Sequence, residues 1–344
     1  MDNAAMKKIA IKAAVFGVIS ITVMLQRSAT KHIMITDASG VTIDRGTAKD
    51  AYKILVDRNV GAGQKGKLTI PLAKSVSSDD IVLEDGYMDH ELRIHIDSRE
   101  EGFYLDNAVV TDLDIFESAI CYKENDTGSV CLDFKLDDFY VNESSLTESN
   151  TIEIEFDRPS HKYDKIVLVN PVGGITDETG TAIPSDDDAA LDVAMALKSI
   201  SEKDGNNNIK FFFTRTTDIA SAEQKSIDAI KESEAGLVVE IGTVKEPTEE
   251  GVVARYNDIF FTRGLNNASF ADKLERNCAK KTGAKAIGVF SATKDDVFLM
   301  GSTVPSARIE VGSEGSKVLE SSGYKKKAAE GIYDAILEAF EEME

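Results

Sequence analysis

Residues 30–158 carry a two-residue hydrophobic rhythm that an α-helix cannot use. "LTIPLA", "DIVLE", "ELRIHID", "AICYKE", "VCLDFKL" and "TIEIEF" alternate apolar and polar side chains and are separated by Gly, Asn, Asp and Ser. Alternation sends successive side chains to opposite faces, so each segment reads as a strand with one buried face. The set predicts an all-β antiparallel sandwich or barrel. "NESSLTESN", near residues 142–150, reads as a long loop, and "DRPSHKYD" as a linker.

From Lys165 the rhythm changes. The strand "KIVLV" precedes the helical stretch "DDDAALDVAMALKSISEK", and the strand "IKFFFT" precedes the helix "SAEQKSIDAIKESE". The strand "GLVVEIG", the helix "NASFADKLERNCAKKTG", the strand "SARIEVGS" and the helix "YKKKAAEGIYDAILEAF" complete the series. Alternation of strands and helices predicts a three-layer α/β domain with a largely parallel sheet over residues 159–344. A chain of 344 residues with 42% apolar content has material for both cores.

The net charge of −21 argues against nucleic acid as a partner. Residues 1–29 stand apart. Lys7, Lys8 and Lys12 precede an apolar run from Ala13 to Leu25, the pattern of a signal peptide or an uncleaved membrane anchor. Either reading puts the remainder outside the cytoplasm, secreted or held to the membrane by that segment. Cys121 and Cys131 flank a hairpin turn centred near Asp126, where they either face each other as a disulfide or stay as buried thiols. Cys278 reads as a helix core position. His90 and His95, five apart in a strand, fall on opposite faces and are not expected to share a metal.

Ligands in open α/β sheets bind beyond the carboxyl ends of the strands. There the sequence places Asn170, then Thr214 and Arg215, then Glu240 and Gly242, then Glu310 and Gly312. Glu240 and Glu310 interrupt apolar runs, and a buried carboxylate needs a partner. Either is a candidate general base, or pairs with Arg215 or Arg308, or reaches solvent. "NPVGGITDETG" is neither a dinucleotide fingerprint nor a phosphate loop. The four histidines are His32, His90, His95 and His161, and none stands in the strand-helix series, so no Ser-His or Cys-His pair can be built from it.

The order and spacing of "KIVLVNPVGGITDETG", "FFFTRTTD", "AGLVVEIGTV" and "VPSARIEVGSEGS" resemble the zinc-dependent N-acetylmuramoyl-L-alanine amidases of bacterial cell walls. In that family the first strand ends in Asp-Pro-Gly-His-Gly-Gly, and the likeness covers residues 164–341. The resemblance implies a zinc ion held by two histidines and a glutamate, with a second glutamate as base. Matched residue by residue, Gly173 stands at the first histidine, Asp186 at the ligand glutamate, Gly242 at the second histidine and Val244 at the asparagine beyond it. Glu310 keeps the base position, idle without a metal-bound water. The resemblance therefore implies an amidase-like domain without zinc or any other cofactor. Asn170, Arg215, Glu240 and Glu310 remain to touch a peptidoglycan fragment or an envelope protein. An active amidase with unorthodox ligands and a protein-docking component of the envelope are the alternatives. The upstream strands are similar in position and pattern to the β-rich targeting domains of some amidases. Ser185 followed by Asp188 reads as a helix capping box, and the acidic triplet Asp186–Asp188 alternatively as a weak Ca²⁺ or Mg²⁺ site.

Overall fold

The computed structural model describes residues 34–37, 51–98, 100, 102–124, 129–176, 182–183, 188–205, 208–245, 249–259 and 264–344. The N-terminal apolar run, Ser185 and Asp186 lie outside these. No described helix is long and apolar enough to cross a membrane.

The N-terminal half is a β-sandwich. In one sheet Met34–Asp37, Ile81–Gly86, Glu91–Ile96, Val130–Leu136, Phe116–Lys123 and Tyr52–Lys53 lie side by side in that order. In the other the order is Val141–Leu146, Thr151–Asp157, Lys67–Pro71, Val109–Thr111 and Val56–Asp57. Leu83, Leu92, Ile94, Leu132 and Phe134 of the first meet Leu68, Ile70, Ile152 and Ile154 of the second in one dry core. Alternation thus does its expected work, one face of each sheet going inward.

One sequence expectation fails here and one open alternative is decided. The segment taken for a loop forms the strand Val141–Leu146, paired antiparallel with Thr151–Asp157 from Val141 opposite Asp157 to Leu146 opposite Ile152. Its polar outer residues suit an edge strand, and the turn is tied by Thr147 and Thr151 hydroxyls 2.7 Å apart. Asn150 takes a left-handed conformation (φ 59°) there, which Asn tolerates better than most residues. Of the two readings of the hairpin cysteines the structure bears out the buried thiols, because Cys121 opposes Leu132 and Cys131 opposes Tyr122. The offset of one residue puts the thiols on opposite faces: Cys121 enters the sandwich core, Cys131 points away, and both are free.

In the C-terminal half a six-stranded sheet is built from β1 (Lys165–Pro171), β2 (Ile209–Phe213), β3 (Leu237–Val244), β4 (Val252–Tyr256), β5 (Ala286–Ser291) and β6 (Ser306–Ser313), in spatial order β2-β1-β3-β6-β4-β5. All pairings are parallel except β4 with β6. β4 and β5 are absent from the sequence expectation. The helices are α1 (Ala189–Asp204), α2 (Glu223–Glu232), α3 (Asn267–Thr282), α4 (Val297–Gly301) and α5 (Ser322–Met343). Helices α1, α3 and α5 bury one face of the sheet through Val167, Val169, Val239, Ile309 and their neighbours.

The opposite face is covered differently. Ile166, Leu168, Phe212 and Val238 pack against the short helices α2 and α4 and against Tyr87, Met88, Phe139 and Val141 of the sandwich. Tyr87, Phe139 and Phe212 form an aromatic cluster with ring centroids 4.9–5.3 Å apart. The Tyr87 hydroxyl donates to the Phe213 carbonyl at 3.0 Å and accepts from the Phe213 N–H at 2.9 Å. β2 is the edge strand, so one side chain of the sandwich satisfies backbone groups that a further strand would otherwise claim. His90 Nε2 lies 3.1 Å from Glu232 Oε2, and Lys225 pairs with Asp89, across the same seam.

Candidate functional site

The strand ends of the α/β unit hold a connected polar network. Thr214 Oγ1 donates to Asn170 Oδ1 at 2.6 Å, and Asn170 Nδ2 donates to Glu240 Oε1 at 2.9 Å. Glu240 Oε2 lies 4.0 Å from Arg308 Nη1, which is 3.2 Å from Asp296 Oδ1. Arg308 Nη2 stands 3.5 Å from Glu310 Oε1, and Arg255 Nε donates to Glu310 Oε2 at 3.1 Å. The parallel register of β3 and β6 explains the meeting, since Glu240 opposes Arg308 and Gly242 opposes Glu310. Glu240 and Glu310 are about 95% buried. Burial pushes the Glu240 carboxyl up to about 7, against the pull of Arg308 and the Asn170 hydrogen bond.

Arg215 belongs to a second network. Its side chain is buried, with Nε donating to the Pro171 carbonyl at 2.8 Å, Nη1 to that of Thr217 at 3.1 Å and Nη2 to that of Val172 at 3.1 Å. Nη1 also stands 2.6 Å from Asp188 Oδ2, a close contact of charges rather than a well-directed hydrogen bond. The other oxygen of Asp188 accepts the Leu191 N–H at 2.9 Å, so Asp188 is the N-cap of α1. The expected capping box, with Ser185 as cap and Asp188 three residues inside, is corrected accordingly. One carboxylate both starts the helix and neutralises a buried arginine.

Both glycines that the resemblance matches to zinc histidines have a guanidinium over them. A Cβ on Gly173 would stand 3.3 Å from Arg215 Nη2 and 3.6 Å from Asp188 Oδ2. Gly173 also has φ +117°, a conformation that side chains disfavour. A Cβ on Gly242 would stand 3.0 Å from both Nε and Nη2 of Arg308, tighter than ordinary packing. The space next to each backbone is therefore used by an arginine, Arg215 from just beyond the end of β2 and Arg308 from β6.

This donor set does not fit zinc. A zinc site needs three or four imidazole, thiolate or carboxylate ligands around the ion. Here the two glycines give none, and the carboxylates of Asp188, Glu240 and Glu310 are engaged by permanent cations. His161, the histidine nearest in sequence, is exposed and lies 3.0 Å from Asp157, while His90 pairs with Glu232. Among the described residues, the one His/Cys/carboxylate group close enough to hold a metal is in the sandwich, not here. Asp186 lies outside the described residues, as does most of the acidic triplet.

The sequence singled out Asn170, Glu240 and Glu310, and the structure brings them together. It sets Arg215 apart, against Asp188. The residues it missed are Arg255, Asp296 and the pairing of Arg215 with Asp188. Arg308 was legible only as a possible partner, standing two residues before Glu310 on the same face of β6. A groove of about 290 Å³ opens beside the networks, lined by Gly173, Gly174, Thr243, Lys245, Arg308 and Glu314, among others.

Residues 167–338 match the N-acetylmuramoyl-L-alanine amidase family Amidase_3. No curated protein matches the chain. Among solved structures, an N-acetylmuramoyl-L-alanine amidase of Clostridium difficile 630 is 19% identical, with a TM-score of 0.44, over 52% of this chain and 97% of its own. The amidase AmiC2 of Nostoc punctiforme (19%, 0.41, 52% and 97%) and the catalytic domain of CwlV from Bacillus (Paenibacillus) polymyxa var. colistinus (19%, 0.43, 52% and 99%) are similar to the same extent. The family match takes in half of the chain, from β1 into α5, and this protein belongs to the N-acetylmuramoyl-L-alanine amidase family.

Proposed function

We propose that the protein acts outside the cytoplasm as a non-hydrolysing member of its family, binding peptidoglycan fragments and serving as a regulator or scaffold at the cell wall. The observation that carries this reading is the pair of guanidinium groups over Gly173 and Gly242. Hydrolysis in a zinc amidase draws on a metal that activates water. Arg215 and Arg308 supply positive charge at the same places, but a guanidinium is not a Lewis acid and does not activate water as a bound metal does. Glu310, held by Arg255 and Arg308, has no activated water to deprotonate.

Fragment binding is supported by the groove itself. Lys245, Arg308 and Glu314 all line it, a mixture suited to the carboxylates and amine of a stem peptide. The lysine-flanked apolar run at residues 7–25 supports export or anchoring at the membrane.

The test is incubation of the full chain with purified muropeptides, with and without added zinc, alongside a binding titration. We expect saturable binding, weakened by Lys245→Ala, and no release of stem peptide under either condition. Zinc-dependent release would mean an active amidase with unorthodox ligands. An inert protein that binds no wall fragment would leave a docking component of an envelope assembly.

A further inference from the structure

The face of the six-stranded sandwich sheet turned away from the core carries a row of donors with no counterpart in the amidase fold. His95 directly opposes Cys131, and Tyr122 opposes Cys131 from the other side. Glu124 follows two residues after Tyr122, with its N–H on the Ser129 carbonyl at 2.9 Å. Glu84 lies two residues from Val82, the partner of His95. Strand alternation therefore sets Glu84, His95, Cys131 and Glu124 on one face, across four adjacent chain segments.

Their atoms converge. A ring nitrogen of His95, a carboxylate oxygen of Glu124 and the Cys131 sulfur all lie within 4.8 Å of one another. Nδ1 of His95 is 2.8 Å from Glu124 Oε1. On the far side of the ring, Nε2 is 3.1 Å from Glu84 Oε2, within ion-pair distance but off the hydrogen-bond line. Glu84 is itself held by Arg93 at 3.3 Å. The thiol is fully buried, while the side chains of His95 and Glu124 keep 14% and 22% exposure, leaving one side open to solvent.

We propose that His95, Glu124 and Cys131 form a binding site for a thiophilic divalent cation, zinc by its donor preference, with water as the fourth ligand. Ligand atoms around tetrahedral zinc stand about 3.3–3.7 Å apart, so side-chain rotations close the cluster without moving a strand. One imidazole, one thiolate and one carboxylate suit zinc better than the hard cations that prefer oxygen alone. Glu84 completes the pattern of a metal-bound histidine whose other ring nitrogen faces a carboxylate, which orients the ring. Binding deprotonates the thiol and leaves the imidazole neutral, the released protons going to solvent. Cys131 is free for this role because register turns it away from Cys121. The site stands apart from the amidase centre and does not depend on what that centre does.

Co²⁺ reads the site directly in the full-length protein. The expected result is one Co²⁺ per chain, with a thiolate-to-metal absorption band in the near ultraviolet and visible bands of tetrahedral intensity, both displaced by Zn²⁺. Cys131→Ser should remove the thiolate band and weaken affinity about tenfold or more. Glu124→Gln, at a more exposed position, should weaken affinity and keep the band. Glu310→Gln should change neither. No Co²⁺ uptake by the wild type, or a band that survives in folded Cys131→Ser, overturns the assignment.

Discussion

The two buried polar centres of this chain differ in what carries their positive charge. At the strand ends of the α/β unit the cations are guanidinium groups, Arg215 beside Asp188 and Arg308 among Glu240, Asp296 and Glu310. On the outer face of the sandwich the cation beside the thiol is an imidazolium, with the guanidinium of Arg93 beyond it on Glu84. Burial alone would lower the His95 pKa, but the neighbouring Cys131 and Glu84 groups hold it at about 10. An arginine keeps its proton under any condition a protein survives. A histidine gives up its proton to a competing metal. The centre in the amidase-family half therefore has the fixed charge, and the centre on the sandwich has the exchangeable one.

The comparison breaks first at Arg215. Arg215→Ala leaves Asp188 buried without its partner and three backbone carbonyls without their donor. We expect a loss of about 3–5 kcal/mol in urea unfolding. A loss below about 1 kcal/mol would mean that the pair is not structural.

Glu240 gives the next largest effect, through pH. Its carboxyl is raised from 4.5 to about 7 in the folded chain, so this group favours folding most below pH 4.5. Its contribution falls as pH rises through 7. Glu240→Gln removes that dependence and should exceed the wild type by about 3 kcal/mol at pH 8, with the difference vanishing below pH 4.5. Parallel curves for the two proteins would place the ionised carboxylate in a more favourable setting than the burial implies.

Smaller effects sharpen the contrast. Gly242→Ala pushes a methyl group against a guanidinium held by three carboxylates and should cost about 1–2 kcal/mol. On the sandwich side, Glu84→Gln should weaken Co²⁺ binding by about tenfold through loss of ring orientation, with little effect on the urea midpoint of the metal-free protein.

The sequence made the architecture legible where periodicity is strong. Six two-residue alternations and the later strand-helix series both correspond to real layers. Val141–Leu146 was lost because its outer face is polar at a sheet edge, where apolar alternation is weakest. The choice between disulfide and buried thiols turned on half a residue: a turn centred at Asp126 pairs Cys121 with Cys131, whereas the observed ladder pairs Cys121 with Leu132. At the candidate site, Asn170, Glu240 and Glu310 were readable as polar interruptions at strand ends. The arginines over Gly173 and Gly242 were not, because their placement depends on which strands neighbour one another. Local sequence does not carry that order.

Tyr87 gives the fold a consequence for how such a protein can be inherited. Its hydroxyl occupies both backbone groups of Phe213 at the sheet edge, and its ring fills the layer that helices alone would otherwise supply. A recombination event that moved the α/β half to another gene would carry away an open strand edge and an uncovered apolar face, an invitation to aggregate. The two halves are therefore expected to travel together, and change in either is filtered by the fit of Tyr87, Met88, Phe139 and Val141 against the sheet.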